Sequence, residues 1–260
     1  MIEFDFVKPA SVADAVKALA ADGAQALSGG QTLTAVLKQR LAAPSVLVSL
    51  NGIAEMRGVK SAGGVVTIGG ATTHAVVAKE AAAYPALAKL AGGIGDPAVR
   101  NRGTIGGSLA NNDPAACYPA GALASGATIV TNKRSIKADD YFKGMFTTAL
   151  AEGEIITSVS FPVPLKAAYV KFDQPASRFA LTAVFVAKFA DGVRVAVTGA
   201  SNNGVFRWKE AEAALTANFS AAAITGLKVS DKDMISDLHG TAAYRANLVK
   251  VLTGRAVGLA

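Results

Sequence analysis

Along residues 2–50 the apolar positions alternate between short extended runs and helical spacing. Ile2–Val7 interleaves apolar and acidic side chains, as a strand does. Val12, Ala15, Val16 and Leu19 share one helical face, and Ser11 with Asp14 at the third helical position gives a capping-box start. Ala24–Leu27 reads as a second strand. Leu33, Val36, Leu37 and Leu41 mark a helix that stops before Pro44, and Val46–Leu50 is a third, buried strand. This β-α-β-α-β order predicts a small parallel sheet, because parallel strands need crossover helices between them.

The texture changes after residue 55. Val65–Gly69 is a strand, Thr72 or Thr73 caps a helix through Val76 and Val77, and Pro85–Ala91 is helical up to Gly92–Gly93. Ala127–Val130, Ile155–Phe161 and Tyr169–Phe172 read as strands, with helical turns at Pro119–Leu123 and Asp140–Phe142 and a rim at Pro162–Pro164. Ala180–Phe189 and Val193–Thr198 form a hairpin around Ala190-Asp-Gly192. The last 50 or so residues are expected to be mainly helical, at Lys209–Leu215, Asp231–Leu238 and Thr241–Leu252. Boundaries near 55 and 172 divide the chain into units of residues 1–55, 56–172 and 173–260.

Composition narrows the chemistry. The 260 residues are 51% hydrophobic, yet no apolar run reaches the length of a membrane span. No export signal is read at the start, so a cytoplasmic place is expected. One cysteine, Cys117, rules out an internal disulfide framework, a Cys-type zinc site and an iron–sulfur cluster on this chain. Two histidines leave little for a histidine metal centre. The net charge of +7 comes from scattered lysines and arginines without a dense block, which argues against nucleic acid as partner.

Two glycine turns carry the candidate chemistry. Ser28-Gly-Gly-Gln-Thr32 follows a strand and opens a helix, and Asp96–Pro114 reads DPAVRNRGTIGGSLANNDP as a long polar loop. Backbone N–H groups can close on an anion where no Cβ stands in the way, so the pair predicts a pyrophosphate site built from two loops. Arg100 and Arg102 either meet phosphate, face a partner or brace the loop. Gly93-Ile-Gly-Asp-Pro-Ala98 matches the dinucleotide fingerprint only formally, since a helix and not a strand precedes it. His74, at a helix start, reads as a capping or packing residue.

Together with Thr67-Ile-Gly-Gly-Ala-Thr-Thr-His74, Ala138-Asp-Asp-Tyr-Phe142, Gly153-Glu-Ile-Ile156, Phe161-Pro162 and Lys171-Phe172 before Pro175-Ala-Ser-Arg-Phe179, these segments resemble the FAD-binding medium subunit of molybdenum hydroxylases, the group of xanthine dehydrogenase and carbon monoxide dehydrogenase. The resemblance implies an α+β fold of the vanillyl-alcohol-oxidase (PCMH) type, with two α/β subdomains clasping FAD and a C-terminal α+β domain beside them. It implies that Leu27, Ser28, Gly29, Gly30, Gln31, Thr32 and Leu33 wrap the pyrophosphate from one side, and Thr104, Ile105, Gly106, Gly107 and Ser108 from the other. Ile94 is then near the flavin, Ile156 near the isoalloxazine or ribityl chain, Lys171 faces the cofactor, and Phe179 lies against the ring.

The family also implies non-covalent FAD here, with the molybdenum cofactor on a large partner subunit and [2Fe–2S] clusters on a small one, in a dimer of heterotrimers. This chain would pass electrons onward to NAD or a quinone. The alternatives are a free-standing FAD oxidoreductase of the same fold and a non-catalytic assembly subunit that has lost tight FAD binding. Cys117 stands where the family usually has a carboxylate, and reads as a small buried hydrophobe.

Overall fold

The computed structural model describes residues 1–260. The first unit runs β1 (Asp5–Val7), α1 (Val12–Leu19), β2 (Ala24–Leu27), α2 (Leu33–Lys38) and β3 (Val46–Ser49). Its strands are parallel in the order β1-β3-β2, as the two crossover helices require. Ser11 caps α1 by accepting from the Asp14 N–H, while its hydroxyl donates to the Asp14 carboxylate. The second helix is shorter than its apolar spacing predicts: it ends at Lys38, Arg40 takes a left-handed φ of 58°, and Leu41 is exposed.

The second unit contains β4 (Val59–Ala62), β5 (Val65–Gly69), α3 (His74–Glu80), α4 (Pro85–Gly92), α5 (Pro97–Arg102), α6 (Ile105–Asn111), α7 (Tyr118–Ser125), β6 (Thr128–Thr131), β7 (Ser135–Lys137), α8 (Ala138–Tyr141), a small hairpin of β8 (Phe142–Gly144) with β9 (Thr147–Thr148), and β10 (Ile156–Pro162). Its antiparallel sheet has the order β4-β5-β10-β6-β7. The segment 96–114, expected to be a loop, instead folds into α5 and α6. Asp96 and Thr104 each cap the following helix through their side chains, and Pro97 sits at the first helical position.

The third unit pairs β11 (Lys166–Asp173), β12 (Ala180–Phe189), β13 (Gly192–Thr198) and β14 (Phe206–Arg207) antiparallel, with α9 (Lys209–Ala217) and α10 (Ala242–Leu259) on one face. Because Lys166–Asp173 hydrogen-bonds to β12, this sheet begins near residue 166 and not at 172. Along β12, Ala183, Phe185 and Ala187 enter the core shared with α4 and α7, while Val184 and Val186 enter the core under α9 and α10. A strand covered on both faces explains its unbroken apolar run.

The expected helix at Asp231–Leu238 does not form. Met234 bridges to Ser201, and Asp237 is held by Arg245 and by the N–H groups of His239 and Gly240. Side chain-to-backbone bonds of this kind compete with helix formation.

Candidate functional site

Strand β2 runs straight into the first glycine turn, and the direction of the parallel sheet delivers that turn to its carboxyl edge. Gly30 sits at φ +71°, a conformation that an L side chain resists. None of the N–H groups of Ser28 to Leu33 donates to a main-chain acceptor, so a row of consecutive donors is left without a backbone partner. Asn51 fixes the turn from behind by donating to the Ser28 carbonyl at 2.9 Å.

The second turn is built differently. Ile105 N–H donates to Thr72 O at 3.2 Å, Gly106 to Gly70 O at 2.9 Å, Gly107 to Thr104 Oγ1 at 3.2 Å and Ser108 to Thr104 O at 3.0 Å. The donors expected to close on an anion here are already engaged in bracing α6 against the second sheet. What this turn presents is small, Cβ-free surface and hydroxyls.

The two turns meet. A Cβ on Gly29 would collide with the backbone of Arg102 and Gly103, and Ser28 Oγ and Thr104 Oγ1 share a hydrogen bond of 2.8 Å. Along this seam opens a cleft of about 570 Å³, within the range of small-molecule sites. Leu27, Leu33, Val36, Ala42 and Leu50 supply apolar lining from the first unit, and Ile94, Val99, Ile155, Ile156 and Phe179 supply it from the other two. Phe179 is 60% exposed, so it stands at the mouth.

Several groups hold these walls. Arg100 donates to the carbonyls of Ile94 and Gly95, so of its three readings the structure displays the brace. Glu154 lies in the wall with its side chain buried, accepting from Thr131, Arg134 and the Ala151 N–H. The Arg134 guanidinium holds its carboxyl down at about 2. Cys117 also lines the cleft, 5% exposed, and burial pushes its thiol pKa up. Asn112 adopts a left-handed φ of 44° and donates to Gly144 O and Thr147 O, which ties the β8–β9 hairpin to the end of α6.

Of the expected site residues, Leu27, Ser28, Gly29, Gly30, Gln31, Thr32, Leu33, Ile94, Thr104, Gly106, Gly107, Ser108, Ile156 and Phe179 line this one cleft. Two do not. Ile105 is fully buried and points into the core, since successive residues of a helix face different sides. Lys171 sits behind the wall: its ammonium donates to Gly93 O at 2.6 Å and Arg178 O at 2.9 Å and pairs with Asp173 at 2.7 Å. It ties together the two loops that carry Ile94 and Phe179. Gly70 and Ala110 fall inside the quoted motifs without having been singled out, and Met56 lies outside all of them, reaching the cleft only through tertiary packing.

Comparison with known proteins bears on what fills the cleft. Residues 2–164 match the family described as the FAD-binding domain in molybdopterin dehydrogenase. The chain belongs to this family.

Over nearly its whole length it is also similar to medium chains of multi-subunit oxidoreductases. It is 35% identical to the nicotine 6-hydroxylase medium subunit of Paenarthrobacter nicotinovorans, over 97% of this chain and 95% of that one. It is 32% identical to the carbon monoxide dehydrogenase medium chain of Afipia carboxidovorans, over 98% and 95%. Among solved structures it superposes on Cu,Mo-CO dehydrogenase with a TM-score of 0.86 at 30% identity, covering 99% of this chain and 98% of that one. Quinoline 2-oxidoreductase from Pseudomonas putida 86 gives 0.87 at 28% identity, over 99% and 96%.

FAD suits the cleft on physical grounds. It is a dianion between two largely apolar ring systems. Here a row of unengaged N–H groups and a Cβ-free seam run between apolar walls.

Proposed function

We propose that this chain is the FAD-binding electron-transfer subunit of a multi-subunit molybdenum hydroxylase, passing electrons from iron–sulfur clusters on a partner to an external acceptor such as NAD or a quinone. The observation that carries the reading is the Ser28–Leu33 turn, whose N–H groups lack main-chain acceptors while it packs directly on the second glycine turn. FAD, when bound, supplies one- and two-electron redox chemistry. The chain's own residues hold and shield it. The N–H groups of Ser28 to Leu33 and the hydroxyls of Thr104 and Ser108 take the phosphates, and Ile94, Ile155, Ile156 and Phe179 exclude water from the ring.

A division of labour with a small iron–sulfur subunit and a large molybdenum-cofactor subunit, as a dimer of heterotrimers, follows from the same reading. It is supported by the single cysteine, which cannot supply the several thiolates a cluster needs. That cysteine is a free, buried thiol. No helix is long and apolar enough to cross a membrane.

The test begins with the visible spectrum of the purified chain after FAD has been added and the unbound FAD removed by desalting. A flavin spectrum, with FAD released by acid precipitation, is the expected result. A colourless protein that leaves the fluorescence of added FAD unquenched would overturn the reading. Mixing the chemically reduced flavoprotein with NAD or a quinone analogue and following the return of flavin absorbance then identifies the acceptor class.

A further inference from the structure

The second glycine turn poses a problem for any anion in the seam, because its four N–H groups from Ile105 to Ser108 are spent on the protein itself. Besides the Thr104 and Ser108 hydroxyls, one further side chain able to donate lies beside it. His74 opens α3, and its own N–H donates to Gly103 O at 2.9 Å, which pins the residue to the second turn. The side chain is 4% exposed and lines the cleft, and its ring packs against Tyr118 at 5.3 Å. Its Nε2 lies over Gly103, where any Cβ would collide with it.

Neither ring nitrogen has a hydrogen-bond partner in the chain. Nδ1 is wholly buried, whereas the residue lines the cleft and its Nε2 sits against Gly103 of the second turn, so Nε2 is the nitrogen placed to reach a ligand in the seam. Burial, and secondarily the charge of Arg100, pulls the imidazole pKa down to about 4, so at neutral pH the ring carries one N–H. A proton on Nδ1 would be a buried donor without an acceptor. The proton therefore belongs on Nε2, facing the seam. A residue that only packed would leave two polar atoms unused at the one place where the backbone has no donors to spare.

We infer that His74 is a cofactor-binding residue whose Nε2–H donates to a pyrophosphate oxygen of the bound dinucleotide, supplying from the second turn the hydrogen bond its backbone cannot give. The inference rests on the FAD reading above.

The test uses the full-length chain and three ligands: FAD, ADP and riboflavin. His74→Phe keeps an aromatic ring and removes both nitrogens, while His74→Gln restores a side-chain N–H. Loss of a charge-assisted hydrogen bond raises Kd for FAD and ADP about ten- to a hundredfold in His74→Phe, leaves riboflavin unchanged, and is partly recovered in His74→Gln. In the unsubstituted chain, the imidazole nitrogen resonances report an Nε2–H tautomer whose Nε2 signal moves on adding ADP. Exposed His239, the only other histidine, is the internal reference.

A folded His74→Phe variant with unchanged ADP affinity would overturn the inference, as would a loss shared equally by riboflavin. If the variant does not fold, the imidazole signal decides: a static Nε2 resonance on ADP binding overturns the inference. Failure of the unsubstituted chain to bind FAD or ADP at all removes the FAD reading, and this inference with it.

Discussion

A methyl group at Gly29 has nowhere to go except into the backbone of Arg102 and Gly103. Gly29→Ala should therefore push the two turns apart at a cost of about 1–3 kcal/mol, seen as a lower melting temperature and a matching loss of FAD affinity. Lys171 makes a different prediction. Lys171→Met removes two hydrogen bonds that steady the Ile94 and Phe179 loops without touching the cleft, so FAD should bind more weakly by about 1–3 kcal/mol, while ADP, which lacks the flavin, is held as before. For Cys117, burial and a raised thiol pKa predict slow alkylation at pH 8 in the native protein and ordinary rates in denaturant. A fast native reaction would contradict the buried placement. At this scale the glycines were legible as cleft lining, whereas the expectation that both turns offer free N–H groups holds only for Ser28–Leu33, the donors of the second turn being engaged in the chain. The inward aim of Ile105 and the clamp made by Lys171 were not legible, since both depend on partners distant in sequence.

Elements were legible where periodicity met burial. Strand β2 and both strands of the long hairpin lie within a residue of their expected bounds, because short apolar runs bounded by turn residues leave few alternatives. Two other segments misled for opposite reasons. The 96–114 segment is rich in glycine and polar residues yet helical, because Asp96 and Thr104 supply caps and tertiary packing of α6 against Gly70 supplies the rest. The 231–238 segment has helical spacing but is drawn into bridges with Ser201 and Gly240. The Glu154–Arg134 pair belongs to this scale, since it closes the loop between β9 and β10 over the cleft wall. Its carboxyl is held near 2, below its ordinary value near 4.5, so its stabilisation is present above pH 4.5 and lost as pH falls through about 2. Urea unfolding should show Glu154→Gln to be less stable than the unsubstituted chain at pH 6, with the gap narrowing by pH 3.

For the molecule as a whole, each of the three units contributes lining to one cleft, so a ligand there ties the units together. Saturating FAD at about a hundred times its Kd should add about 2.7 kcal/mol, or about 5–10 °C in melting temperature for a chain of this size. A scan without and with FAD checks it, and two separate transitions without FAD would show the units unfolding independently. The overall plan was readable from the order of the motifs. The start of the third sheet was not, because β11 follows β10 after only three residues, and pairing alone assigns it to β12. The contact between Gly29 and Gly103 has one more consequence. The turns already touch through backbone and hydroxyls, so association need not wait for a loop to close. FAD capture should be a single encounter: in a stopped-flow trace the fluorescence decays as one exponential, and its rate rises linearly with FAD concentration without a plateau.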